Sequence, residues 1–357
     1  LYFAALMKVD FLIIGQGIAG TVLSYTLMQA GQSVLVMDEY KPNSASRIAA
    51  GVINPVSGRR FTVAWQYDEI YPIAVQVYKA MEQLLGVPVF KPRDIYNVLP
   101  SEQLKAAFME RTSGLSYMEG PSADKLAHYQ QWLDQPHGAA IVKGATVLLQ
   151  NLLPGWRDYL KKHNSLREER LELSRLEITP KGVKYADITA RYLVFCEGAA
   201  TVNNPWFNYI PFLLNKGEVL RVQIPGFSTP DIVKRSVSLV PQGDDTYWVG
   251  ATFAWDYPDE QPTTEKREIL EKGLEQLLKV PYKVLDQLAA VRPSGTDRRP
   301  IMGLHPEYPV LGIFNGLGTK GTSLAPAMAA QFAAHILQNV PLQADTDINR
   351  FFNRYKG

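Results

Sequence analysis

The chain has 357 residues, 46% of them hydrophobic and 20% charged. This balance excludes a disordered polypeptide and leaves room for two domains, or one large and one small. Lysine plus arginine (37) nearly offset aspartate plus glutamate (35), a net charge of +2. The composition therefore carries neither a nucleic-acid footprint nor a basic membrane-binding face. One cysteine, Cys196, excludes an internal disulfide and fits a reducing compartment. The five histidines (128, 137, 163, 305 and 335) have no ligand spacing, so no metal is expected. No apolar run reaches the roughly 18 residues of a membrane span. Leu1–Leu6 lack the features of a signal peptide and read as vector residues, and a cytoplasmic location is the expectation.

Val9–Ile14 is an apolar, β-branched run that predicts a buried parallel strand. Gly15, Gly17 and Gly20 follow it as GxGxxG. The first glycine allows the tight turn, the second lets backbone approach a pyrophosphate, and the third lets the next helix pack close to the strand. Apolar positions 18, 19, 22, 23, 26, 27 and 30 make one helical face, and Gly31 stands at its stop. Gln32–Asp38 is a second strand ending in a carboxylate where a ribose hydroxyl needs an acceptor. Strand, glycines, helix, strand and acid form a dinucleotide fingerprint. By itself it leaves NAD and FAD open, since both place a pyrophosphate on that helix N-terminus.

Tyr40–Arg60 is irregular and passes through Ala49-Ala50-Gly51, where there is almost no side chain. Helices are predicted over Asp68–Leu85, Glu102–Arg111 (capped by Ser101), Val147–Lys162 (with Pro154 inside) and Thr264–Leu278. Ser113–Pro136 shows no readable period. Strands are predicted at Ile95–Leu99, Ala139–Val142, Leu171–Leu173, Arg175–Ile178, Val183–Ile188, Tyr192–Cys196, Gly217–Ile224, Val237–Val240, Tyr247–Phe253, Leu288–Val291 and Val310–Phe314. A second glycine-rich loop, Asn315–Ser323, precedes a small-residue helix from Pro326 to Leu337, with Pro326 in the first turn.

The order implies an α/β chain, α+β overall. A Rossmann-like domain is built from separated segments (7–60, 141–205 and 290–357). A mostly antiparallel β substrate domain with helices occupies 61–140 and 206–289. A NAD dehydrogenase completes its nucleotide fold in one block of βαβ units. Here only one clear unit stands at the start, which favours FAD, whose long body needs contacts from distant segments.

Further stretches stand in a fixed order. They are Ala45-Ser46-Arg47-Ile48-Ala49-Ala50-Gly51, Leu193–Ala199, Lys216-Gly217-Glu218-Val219 and Val249-Gly250-Ala251-Thr252. Arg292-Pro293 through Pro300-Ile301-Met302-Gly303 and Gly316–Gly321 with Leu324-Ala325-Pro326 close the series. With the fingerprint, they make the chain from about Lys8 to Ile336 resemble the FAD-dependent amine and amino-acid oxidases of the D-amino-acid oxidase, glycine oxidase and sarcosine oxidase family. The C-terminal block is most similar to glycine oxidases. The resemblance implies hydride transfer from an amine α-carbon to flavin N5, hydrolysis of the imine, and reoxidation of the flavin by oxygen or another acceptor. The implied partner is a small amine or amino acid.

On that reading Gly15, Gly17 and Gly20 hold the pyrophosphate, and Asp38 (with Glu39 as its rival) holds the ribose. Ser46, Arg47 and Gly51 line the path to the flavin, and Gly198 supports the nucleotide side. Gly318, Thr319, Lys320, Gly321 and Thr322 present a helix N-terminus to the flavin's pyrimidine edge. Arg292 is the substrate-carboxylate anchor, because a guanidinium offers a two-pronged fork. Arg298 and Arg299 read as solvated. Cys196 does not occupy a position of covalent flavin attachment in this family, so non-covalent FAD is expected. Two glycine-oxidase contacts are replaced: an arginine by Thr319 and a tyrosine by Ser238. Lys320, Arg59, Arg60, Tyr247 and Trp248 are the candidates to compensate. Alternative readings are a flavoenzyme acting on a carboxymethylamino group of a modified tRNA uridine, a NAD-binding protein without flavin, and a flavin-binding protein without catalysis.

Overall fold

In the computed structural model, residues 6–355 are described, apart from 59 and 113. Strand β1 (Met7–Ile14) lies at the centre of the first sheet. It pairs in parallel with β2 (Val34–Met37) on one side, Phe11 opposite Val34, and with Ile188–Phe195 on the other, Phe11 opposite Tyr192. Leu311–Asn315 adds a further parallel strand, with Leu193 opposite Leu311. Phe11–Ile14 and Val34–Met37 are buried on every residue. That is why they read as continuous apolar runs rather than alternating ones.

Helix α1 (Ile18–Gln29) covers one face together with the closing helix, Gly321–Gln338. Both are rich in small apolar residues and buried nearly all round. Gly20 permits this packing, since a Cβ there would lie 1.9 Å from the Gly15 carbonyl oxygen. The closing helix begins five residues before Pro326, so the proline is inside it and not in its first turn. Proline leaves the carbonyl four residues back without its helical donor. That carbonyl belongs to Thr322, and the buried Tyr78 hydroxyl donates to it at 2.8 Å.

The second sheet runs in the order Lys283–Gly295, Phe212–Gln223, Thr246–Gly250, Ser238–Gly243, Ile232–Lys234, Phe90–Val98, Ala139–Val147 and Val52–Ile53. All neighbours are antiparallel except Ile232–Lys234 beside Phe90–Val98. One face packs on Thr264–Glu275 through Leu270 and Leu274. The other turns towards the first sheet. The fold class is therefore mixed α/β, with a parallel Rossmann-like sheet beside a mostly antiparallel one.

Several local expectations are corrected. Ala139–Val147 is one strand of the second sheet and crosses the boundary expected at 140/141. Lys143-Gly144 hid its second half, and Gly144 is needed because a Cβ there would lie 2.7 Å from the Ile53 carbonyl oxygen. Lys283–Gly295 likewise crosses the boundary expected at 289/290. The polar stretch 113–136 contains a helix, Ala123–Gln130, capped by the Ser122 side chain. Leu171–Leu173 is not a strand; a 3₁₀ turn forms at Leu173–Arg175.

Candidate active site

A cavity of about 1120 Å³ opens between the two sheets. Ordinary ligand pockets span roughly 300–1,000 Å³, so this one has room for an extended cofactor and a small substrate. Its walls come from the segments that the sequence separated: Gly15–Ala19, Asp38–Val52, Glu197–Ala200, Ala290–Pro293 and Leu317–Thr319.

At one end the wall is backbone. Gly15 has φ +99°, and a Cβ there would lie 2.5 Å from the Cys196 carbonyl oxygen. Gly51 has φ +70°, and a Cβ there would come within 1.9 Å of the Val147 carbonyl oxygen. Gly17 caps α1 without a side chain, and Ser46 closes beside it, its hydroxyl accepting from the Ile18 N–H at 2.9 Å. The first turn of α1 thus faces the cavity with the positive end of its dipole, a cradle for a diphosphate. Gly20 is one turn deeper and packs the helix without lining the cavity. The start of the closing helix meets α1 here: a Cβ on Gly321 would touch Ile18 at 3.0 Å. Gly318, Thr319, Gly321 and Thr322 line the cavity. Gly198 lines it too, with φ +58°.

Asp38 lines the cavity, but its carboxylate is already engaged. It accepts from the backbone N–H groups of Gln16 and Tyr40, both at 3.0 Å, and from Arg157 at 2.7 Å. Arg157 also reaches Glu168 at 2.9 Å. Buried Gln16 joins this network, its Oε1 accepting from Arg47 and Arg157, both at 3.2 Å. Gln16 and Arg157 were not singled out from sequence. Gln16 is a variable position of the glycine motif, and Arg157 lies on a helix 119 residues from Asp38, a separation that local pattern cannot bridge.

At the other end the wall is side chains from the second sheet: Ser238, Trp248, Phe253, Tyr257 and Arg292. Strand alternation divides the two candidates at 247 and 248. Trp248 faces the cavity and donates to the Ile48 carbonyl at 2.8 Å, while Tyr247 is buried on the opposite face and donates to Phe227 O at 2.6 Å. Tyr247 therefore cannot replace the absent tyrosine. Arg292 lies over Gly217, where any Cβ would come within 1.8 Å of Nη2. Its Nη1 donates to Asn215 Oδ1 at 3.0 Å and to Thr252 O at 3.4 Å. Among the described residues no carboxylate pairs with it, and burial disfavours its charge. The Nε–Nη2 edge is left as a two-donor fork.

Lys320 does not line the cavity. It sits beside Arg299, and burial together with that charge lowers its pKa. Arg299 is not simply solvated: it pairs with Asp345 at 3.2 Å and lies over the Trp65 ring. Arg60 is exposed and outside the cavity wall, and Arg59 lies outside the described residues. Cys196 is buried, with its thiol pushed upward by burial.

A backbone cradle for a diphosphate and two helix N-termini in one cavity beside a parallel sheet make a dinucleotide-binding site. The chain belongs to the family described as DAO, FAD dependent oxidoreductase, whose model matches residues 10–335. It is an FAD-dependent oxidoreductase of the amino-acid oxidase type. It is 24% identical over 364 aligned positions to the tRNA 5-methylaminomethyl-2-thiouridine biosynthesis bifunctional protein MnmC of Idiomarina loihiensis, covering 98% of this chain. The chain spans 59% of that protein's length. The fold is similar to that of glycine oxidase from Geobacillus kaustophilus, with a TM-score of 0.77 and 17% identity over 97% of this chain and 98% of the other. It is also similar to that of iminodiacetate oxidase from Chelativorans sp. BNC1, with a TM-score of 0.75 and 20% identity over 94% and 98%.

Proposed function

We propose that this chain oxidises the C–N bond of a small amine bearing a carboxylate, with non-covalently bound FAD. The observation that carries the reading is the Nε–Nη2 edge of Arg292, a half-buried cation in a cavity wall with no carboxylate partner among the described residues. A substrate carboxylate is the complement of that fork, and its binding restores the missing counter-charge. Asn215 fixes the guanidinium from behind, so its orientation is set before substrate arrives. Gly217 leaves the space in which it lies.

The residues fit FAD. Gly15, Gly17 and Ser46 shape the diphosphate cradle, Asp38, with Glu39 as its rival, is the residue that would take the ribose, and Gly51, Gly318, Thr319, Gly321 and Thr322 leave space for a flat ring. Bound FAD supplies the two-electron oxidant, and the oxidised amine is an imine that water hydrolyses. The protein's own contribution is alignment and exclusion of bulk water. No histidine or paired carboxylate is needed for a neutral amine donor. Trp248, Phe253 and Tyr257 give the substrate end an aromatic lining, and Ser238 and Thr319 leave it more open than a tyrosine and an arginine would.

Anaerobic mixing with a panel of glycine, sarcosine, D-amino acids, iminodiacetate and other secondary amines tests the reading. Bleaching of the flavin band by a carboxylate-bearing amine, slowed about 100-fold in Arg292→Met, is the expected result. Bleaching by bulk tRNA alone would replace it with action on a carboxymethylamino group of a modified uridine. A yellow protein bleached by nothing in the panel would refute it. Acid precipitation that leaves the flavin in the pellet would refute non-covalent binding.

A further inference from the structure

Glu197 is a carboxylate that the proposed oxidation does not use. It follows Cys196 at the end of the strand beside β1 and lines the cavity. Its backbone adjoins the glycine turn, since a Cβ on Gly15 would lie 3.6 Å from Glu197 Cα. It therefore stands at the turn that receives the anionic part of the dinucleotide.

Its surroundings do little to hold a charge there. Oε2 accepts one hydrogen bond, from Asn204 Nδ2 at 2.9 Å. Oε1 has no hydrogen-bond partner and no ion pair among the described residues. Among the described residues the cation that acts on it is Arg170, on the segment after Leu166–Arg167, and burial raises its pKa against both influences. Among the described residues, the other charged side chains lining the cavity are Asp38, Glu39 and Lys41 past β2, Arg47 in the short helix Ala45–Ile48, Glu169, Glu260, which pairs with Lys41 at 2.8 Å, and Arg292 on the second sheet. Arg47 is turned to Gln16 and the Tyr40 ring, and Asp38 is held by Arg157. A diphosphate entering this end brings more negative charge, and two close anions cannot both stay ionised without cost.

We propose that Glu197 is a proton-uptake residue for cofactor loading: when the dinucleotide seats, the Glu197 carboxyl takes a proton from solvent and donates a hydrogen bond to a cofactor oxygen. It is a positioning residue, one step removed from the redox chemistry. The consequence is linkage. FAD affinity falls as pH rises through the carboxyl's pKa in the empty protein, by up to about tenfold per pH unit for one proton. Among the described residues no histidine lines the cavity, so no imidazole among them supplies a slope of its own between about pH 5 and about pH 8.

This inference rests on the reading that the cavity holds FAD. The test follows FAD release from diluted holoenzyme by the rise in free-flavin fluorescence, between about pH 5 and about pH 8. The wild type is expected to lose FAD more readily as pH rises. Glu197→Gln, a neutral isostere, is expected to hold it with one affinity throughout, close to the wild type's at acid pH. A second measurement needs no variant. FAD added to the flavin-stripped full chain in weak buffer should take up part of a proton near neutral pH. FAD bound with pH-independent affinity and no proton uptake, or a Glu197→Gln variant with the wild-type slope, overturns the role of Glu197 alone. A protein that binds no FAD overturns the cofactor reading itself.

Discussion

At the α1 end, the cavity is walled by backbone whose shape depends on glycines at 15, 17 and 51. At the second-sheet end it is walled by side chains standing on strands, with Arg292, Trp248 and Ser238 set by register. The first kind of wall tolerates almost no substitution at 15 and 51, where a Cβ meets a carbonyl oxygen, while at 17 it meets the Ser46 hydroxyl at 3.0 Å. The second kind can exchange one side chain for another while the strand stays in place. A fixed cofactor and a variable substrate are what this division supports.

The comparison can be broken first at the backbone. Gly20→Val places atoms against the Gly15 carbonyl, which cannot retreat without opening the turn. We expect a loss of about 3 kcal/mol or more, read as a fall in melting temperature and as protein purified without flavin colour. A yellow, stable variant would show that the turn is softer than its contacts imply. At the other end, Arg292→Met should leave the flavin spectrum intact while kcat/KM falls about 100-fold, the worth of one charge-assisted pair of hydrogen bonds. An unchanged kcat/KM would remove Arg292 from the substrate site. Next in size, Arg157→Met strips the buried cation from Asp38 and Glu168. It should cost about 2 kcal/mol in chemical denaturation, because one partner of a mostly buried pair is left alone. Thr319→Arg restores the arginine that glycine oxidases have at this position. It should raise glycine turnover of the flavin-loaded protein severalfold, and no change would mean that the substrate is anchored elsewhere. The smallest effect is at Cys196, where burial keeps the thiol protonated. A thiol reagent should leave the native protein unlabelled and label it only in denaturant.

The backbone-walled end was the more legible of the two in the sequence, and for a physical reason. A glycine forced by a carbonyl 1.9 Å away leaves a mark at one position, and GxGxxG before a helix gathers those marks within six residues. Gly51 carried the same mark farther along, and in the loop at 316–321 Gly316 and Gly318 carry a positive φ, +71° and +55°, instead. Arg157 carried none: its value comes from meeting Asp38 and Gln16 across the fold. Lys320 and Tyr247 show the opposite error. Each has suitable chemistry close to a motif, but one lies beyond the cavity wall and strand alternation turns the other into the core. The second sheet was harder to read than the first, because its strands are interrupted by Lys143-Gly144 or are only three residues long, as at Ile232–Lys234.

The proline at 326 links two distant positions. A helix with alanine there would bond its own Thr322 carbonyl and leave the Tyr78 hydroxyl redundant. With proline, the carbonyl depends on a hydroxyl from Tyr67–Leu85, a helix 244 residues away in the chain. The two positions should therefore behave as one unit under substitution. Tyr78→Phe alone orphans a buried acceptor and should cost about 1–3 kcal/mol. In a Pro326→Ala background the hydroxyl's share of that cost should largely vanish, a coupling that a double-mutant cycle reads directly. Thr322 lines the cavity, so this coupling fixes the start of the closing helix from outside the site.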